Sequence, residues 1–107
     1  MDDKKIAKLR QYFQREDERV RKAYSTHSRI THKHLSDEDL IEIRRIRGTV
    51  VSKVCDKIAE YHTLTGRRDT PIYAERFLKI NARLVNLINA ELAWRTYGHA
   101  QINQTDI

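Results

Sequence analysis

The sequence predicts an all-α bundle, a long antiparallel helical hairpin plus a shorter N-terminal helix. Three observations lead there. Apolar residues recur at steps of three and four over long stretches. Glycine and proline are scarce, with three and one in 107 residues. Most of them fall where a helix would have to stop, so the chain carries punctuation as well as periodicity. A chain of this length fits one domain with one economical core, predicted to occupy residues 1–98 ahead of a flexible tail, 99–107.

The first helix is predicted over about residues 3 to 24. Its apolar seam, Ile6, Leu9, Phe13, Val20 and Tyr24, is narrow and suits docking along a hairpin. The polar stretch "STHSRITHKH" that follows has no clear period and reads as a loop.

The second helix has the best-marked ends. In "HLSDEDL", Ser36 is placed as N-cap with Asp39 three residues on, and Asp37 and Glu38 add negative charge to the first turn. Leu35 and Leu40 have the spacing of a hydrophobic staple. Leu40, Ile43, Ile46, Val50, Val54, Ile58, Tyr61 and Leu64 carry the apolar period to Gly66, a C-terminal glycine, which predicts a helix over 37–65. Gly48 falls inside it and invites a bend.

In the third helix Thr70 is the expected cap, Pro71 the first helical residue and Gly98 the stop. Its apolar side includes Tyr73, Phe77, Ile80, Leu84, Val85, Leu87, Ile88 and Leu92, an arc of roughly 200°, which calls for two packing neighbours. The first helix can be the second of them; a homodimer is the alternative.

Charge is unevenly spread. Lysine and arginine number 21 against 15 acids, a formal net charge of +6. Residues 1–35 hold ten basic and five acidic groups, residues 36–65 five and six, and residues 66–107 six and four. On the first helix Lys4, Lys8, Arg15, Arg19 and Lys22 fall within about 60° of arc, opposite the apolar seam, with Lys5 and Tyr12 at the margin. Such a row is about 27 Å long. It has the form of a contact for successive phosphates, made through charge without reading bases, with Tyr12 as a stacking surface. The bland alternative is a solvated outer face, since lysine and arginine are good helix formers. Arg44 and Arg45 in "RRIR" would extend the surface, as would Arg67 and Arg68 at the hairpin tip. No helix-turn-helix, finger spacing or RNA-recognition signature accompanies the row, so base-specific readout is not expected.

Arg47 points into the apolar arc of the second helix, and Glu91 with Arg95 into that of the third. If residues 64 and 72 are level across the hairpin, Arg47 and Glu91 meet as a structural ion pair that fixes register. His27, His32 and His34 include a His-x-His spacing that can chelate a metal, but solvated loop histidines are the better explanation of it. The acid pairs Glu38/Glu42 and Asp56/Glu60 lie about 21 Å apart along one helix, too far to share an ion. There is no phosphate-binding glycine loop, nucleophile elbow or cofactor motif. Catalysis, a metal and a cofactor are therefore not expected.

The single cysteine, Cys55, excludes an intrachain disulfide and suits a reducing compartment. No run approaches the roughly 20 apolar residues of a membrane span, and the N-terminus lacks an apolar signal core. A cytoplasmic location is expected. The sequence thus points to a small basic accessory or regulatory protein that contacts the backbone of DNA or RNA. The competing reading is a helical adaptor or inhibitor docking on a larger protein, for which an acidic surface is one option.

Overall fold

The computed structural model describes residues 2–27 and 34–98. Three helices account for nearly all of them: α1 (Asp3–His27), α2 (Asp37–Thr65) and α3 (Ile72–Ala93), the last continuing into a wider π turn, Trp94–Gly98. His32 and the tail expected to be flexible, 99–107, lie outside the described residues.

The ends of α2 follow from local chemistry. The Ser36 hydroxyl accepts from the Asp39 amide at 3.1 Å, which satisfies one of the first-turn N–H groups that no helical carbonyl can reach. Leu35 packs against the cluster containing Leu40, as the staple requires. At the other end Gly66 takes φ 68°, a left-handed conformation that costs glycine little, and its amide closes on the His62 carbonyl. No break accompanies Gly48; α2 runs through it as one helix.

Three boundaries differ from the sequence reading. α1 extends through Ser25, Thr26 and His27, because the Thr26 hydroxyl is satisfied within the helix by the Lys22 carbonyl at 3.0 Å. Pro71, not Thr70, is the N-cap of α3: its extended backbone (ψ 144°) stands outside the helix while its carbonyl accepts from Glu75. The third helix also loses its α-geometry at Trp94, four residues before the glycine expected to end it. Gly98 is buried against the Trp94 indole, where a Cβ would collide with the ring.

Two apolar clusters build the core. One joins Leu9, Phe13 and Val20 of α1 to Val54 and Tyr61 of α2 and Ala74 and Phe77 of α3. The other joins Ala23 and Tyr24 to Leu40 and Ile43 and to Leu84, Ile88 and Leu92. Low numbers of α1 and α3 therefore lie beside high numbers of α2, so α1 and α3 run parallel to one another and α2 runs against both. Within the first cluster the Phe13 and Tyr61 rings meet edge to face with centroids 6.4 Å apart. α3 packs against both other helices, which gives its broad apolar arc the two neighbours it calls for within one chain.

Between the clusters the core turns polar. Asp17 is fully buried, Glu16 and Asn81 nearly so, and Arg47 is half-buried. Along α1 the seam steps from Phe13 to Val20, and the intervening inward positions are filled by these two acids. On α2 the inward step falls on Arg47, while Ile46, counted with the apolar positions, is 41% exposed. Asp17 has Arg21 at 3.3 Å and Arg76 of α3 at 3.9 Å. Neither carboxylate oxygen makes a hydrogen bond, and the same holds for one terminal nitrogen of Arg47 and the side-chain oxygen of Asn81.

The expected Arg47–Glu91 pair does not form. Glu91 instead accepts from Arg95 one turn along α3 at 3.0 Å, and Arg95 also bridges to Asp37 at 2.8 Å. An i, i+4 partner needs no long-range register to be found. The hairpin register explains the rest. With Arg44 on Asn89 and Asp37 on Arg95, Glu91 is level with about residue 41 or 42, leaving Arg47 about 8 Å further along α2. Burial pushes the Arg47 guanidinium below its ordinary pKa, and the opposing influence is the carboxylate of Glu16 on α1.

Candidate functional site

The packing of α1 determines what its outer surface offers. Leu9, Phe13, Glu16, Asp17 and Val20 are turned inward, which leaves Lys4, Lys8, Arg15, Arg19 and Lys22 exposed on a continuous helix. The spacing that buries one edge thus presents the other, and the basic side chains keep a fixed order along a rigid rod. Arg19 is committed in part: it donates to Glu16 at 2.7 Å, with its own side chain 67% exposed and that of Glu16 7%. Among the described residues, Lys4, Lys8, Arg15 and Lys22 have no carboxylate within ion-pair distance.

Tyr12 occupies the α2-facing margin of this row. A cleft of about 260 Å³ opens there between α1 and α2, bordered by Lys5, Lys8, Tyr12 and Arg15 on one wall and by Lys57 and Glu60 on the other. Burial pushes the Tyr12 hydroxyl above its ordinary pKa and Glu16 adds to that, with Arg19 and Arg15 opposing. The phenol is therefore neutral at physiological pH. Its ring rests edge to face on Phe13, centroids 5.8 Å apart, which fixes its place in the cleft wall.

No family model matches the chain, and neither a curated protein nor a solved structure matches it.

Of the other arginines in the sequence reading, Arg44, Arg45 and Arg67 have local employment, while Arg68 is exposed. Arg44 donates to Asn89 at 2.9 Å and so turns toward α3, away from the α1 row. Arg45 grips Glu42 with two hydrogen bonds of 3.0 and 2.6 Å, which holds the Glu42 carboxyl below its ordinary pKa. Arg67 pairs with Asp69 at 3.2 Å at the hairpin tip. The cation that α2 does bring to the row is Lys57, which the sequence reading left out. Its signal was faint, because finding it requires knowing which flank of α2 faces α1.

Histidines and acids form no comparable centre. Among the described residues, no group of three or more His, Cys, Asp or Glu is gathered so as to hold a metal ion. Of the proposed histidine trio, His27 ends α1 and His34 is exposed, while His32 lies outside the described residues. His62 instead ties down the hairpin link, its Nε2 donating to the Asp69 carbonyl at 3.0 Å. No described helix is long and apolar enough to cross a membrane.

A larger groove, about 560 Å³, lies at the hairpin tip between Arg10, Phe13 and Gln14 of α1 and the 69–73 segment. Ile72 on its rim is 68% exposed. Its floor is the apolar pair Phe13 and Tyr61, and its charges, Arg10 and Asp69, are of opposite sign.

Proposed function

We propose that this protein is a non-enzymatic accessory or regulatory protein that binds the sugar–phosphate backbone of nucleic acid through the outer face of α1. The observation that supports this best is the conjunction of charge and exposure: five cations on one edge of a single helix, four of them without an acidic partner. Water-exposed, unpaired cations lose little on meeting phosphate and release the counterions condensed on it, which favours binding without regard to sequence. Lys4, Lys8, Arg15 and Lys22 carry most of the contact, with Arg19 contributing what its pairing to Glu16 leaves over. Arg44 and Arg45, engaged with Asn89 and Glu42, are peripheral.

The test is charge reversal. Labelled DNA and RNA are titrated with the wild-type protein and with a variant carrying Lys8→Glu, Arg15→Glu and Lys22→Glu, all at exposed positions, with circular dichroism verifying its helical fold. The wild type binds both polymers at low salt and the variant binds neither. Equal binding by the two proteins contradicts the reading. The second reading, a protein-docking adaptor, draws its support from the groove beside the exposed Ile72. It is favoured if Ile72→Asp abolishes capture of one defined protein that the charge-reversal variant still captures.

A further inference from the structure

We infer that the cleft around Tyr12 selects single-stranded over duplex nucleic acid, by stacking one base on the Tyr12 ring while the flanking phosphates rest on Lys8 and Arg15. The inference rests on the proposal that the α1 face is a nucleic-acid contact, and it adds the form of polymer that contact takes.

The geometry has three parts. First, Tyr12 lies at the side of the row, in a recess walled on the far side by Lys57 and Glu60 of α2. A duplex is a stiff rod with its base faces hidden in the stack, so it can touch the convex row but has nothing to place in a recess. A single strand exposes base faces, and stacking on an aromatic side chain is available to any base. Second, Lys8 and Arg15 stand about one helical turn to either side of Tyr12, roughly 6 and 4.5 Å along the axis. A nucleotide stacked on the ring therefore has a cation toward each neighbouring phosphate. Third, Lys5 and Lys57 make the recess net positive, because the one acid on its wall, Glu60, is within 3.4 Å of Lys57 and is largely offset by it. The buried acid beneath, Glu16, is likewise engaged by Arg19 at 2.7 Å. The neutral phenol presents no charge to repel the phosphates.

The test compares a labelled oligothymidylate, an oligouridylate and a duplex of the same length by fluorescence anisotropy at fixed salt. The proteins are wild type, Tyr12→Phe, Tyr12→Leu and Lys57→Gln, with circular dichroism verifying the helical fold of each. Wild type binds both single strands more tightly than the duplex. Tyr12→Phe, which keeps the ring, retains that preference, whereas Tyr12→Leu weakens single-strand binding about 5- to 150-fold and leaves duplex binding unchanged. Lys57→Gln, at a half-exposed side chain outside the core, leaves Glu60 without its partner on the recess wall and so weakens single-strand binding without altering duplex binding, which serves even if Tyr12→Leu disturbs packing. Equal affinity of the wild type for strands and duplex overturns the inference, as does full single-strand binding by a folded Tyr12→Leu protein. In both cases the backbone contact itself survives, provided the charge-reversal variant fails to bind. If the wild type binds no nucleic acid at all, the proposed function and this inference fall together.

Discussion

Replacing Arg47 with methionine removes a cation from between two apolar clusters while keeping most of its unbranched stem. Arg47 is half-buried, and one of its terminal nitrogens is shielded from water without a hydrogen-bond acceptor. A buried donor left unmatched costs about 1–3 kcal/mol, and the partial exposure of the residue places Arg47 near the lower end. The usual objection is that deleting one charge strands another. Here the acid whose charge acts on Arg47, Glu16, keeps its 2.7 Å bond to Arg19, so it is not abandoned. Arg47→Met is therefore expected to raise stability by about 1 kcal/mol, equivalent to about 4–8 °C in Tm for a domain of this size. Because arginine stays protonated at every accessible pH, the gain should not vary across the neutral range. Thermal melts followed by circular dichroism, with urea titrations for the free energy, measure it directly. A fall in Tm of the same size would refute the reasoning and mean that Glu16 depends on Arg47 after all.

Other perturbations address the frame around this layer. Phe13→Ala, at a side chain 1% exposed between α1 and Tyr61, should cost about 3–5 kcal/mol in a urea titration; a loss under 1 kcal/mol would mean that α1 is not docked as described. Gly48→Ala should stabilise by roughly 0.5–1 kcal/mol, since a Cβ there meets open space within a regular helix, and no gain would indicate a bend that needs the glycine. Glu42, held below its ordinary pKa by Arg45, should titrate at lower pH than in the unfolded chain. Its contribution is present above the unfolded pKa and is lost as pH falls through the folded one. Arg45→Gln should move the NMR titration of Glu42 upward, and an unmoved titration would remove Arg45 as the cause.

The parts of the fold that were legible in the sequence are those written in local chemistry. Ser36 and Gly66 bound α2 because a hydroxyl acceptor and a left-handed glycine act on neighbouring residues, with no tertiary information needed. The breadth of the α3 arc called for two packing neighbours but left a second copy of the chain open, beside α1, as one of them. What could not be read depends on relations between helices. Arg47 and Glu91 looked matched because both point inward, but their separation along the axis is set by the six-residue link and by the reach of the arginines. Nothing in the charge of Glu16 and Asp17 marks them as inward, yet the step from Phe13 to Val20 leaves room for inward residues at their positions. The basic row was visible as a period on one helix. The cleft beside it, with Lys57 opposite Tyr12, comes into being only when α2 is laid alongside.

The most direct measurement of the central claim is the salt dependence of binding to a single-stranded oligonucleotide. With four unpaired cations and a partly engaged fifth meeting phosphate, the plot of log affinity against log salt concentration should fall with a slope of about −3, near −0.7 for each phosphate neutralised. The Lys8→Glu, Arg15→Glu, Lys22→Glu protein should lose that slope along with its binding. A flat dependence in the wild type, or a steep one that the triple variant retains, would contradict the assignment of the α1 face as a phosphate contact.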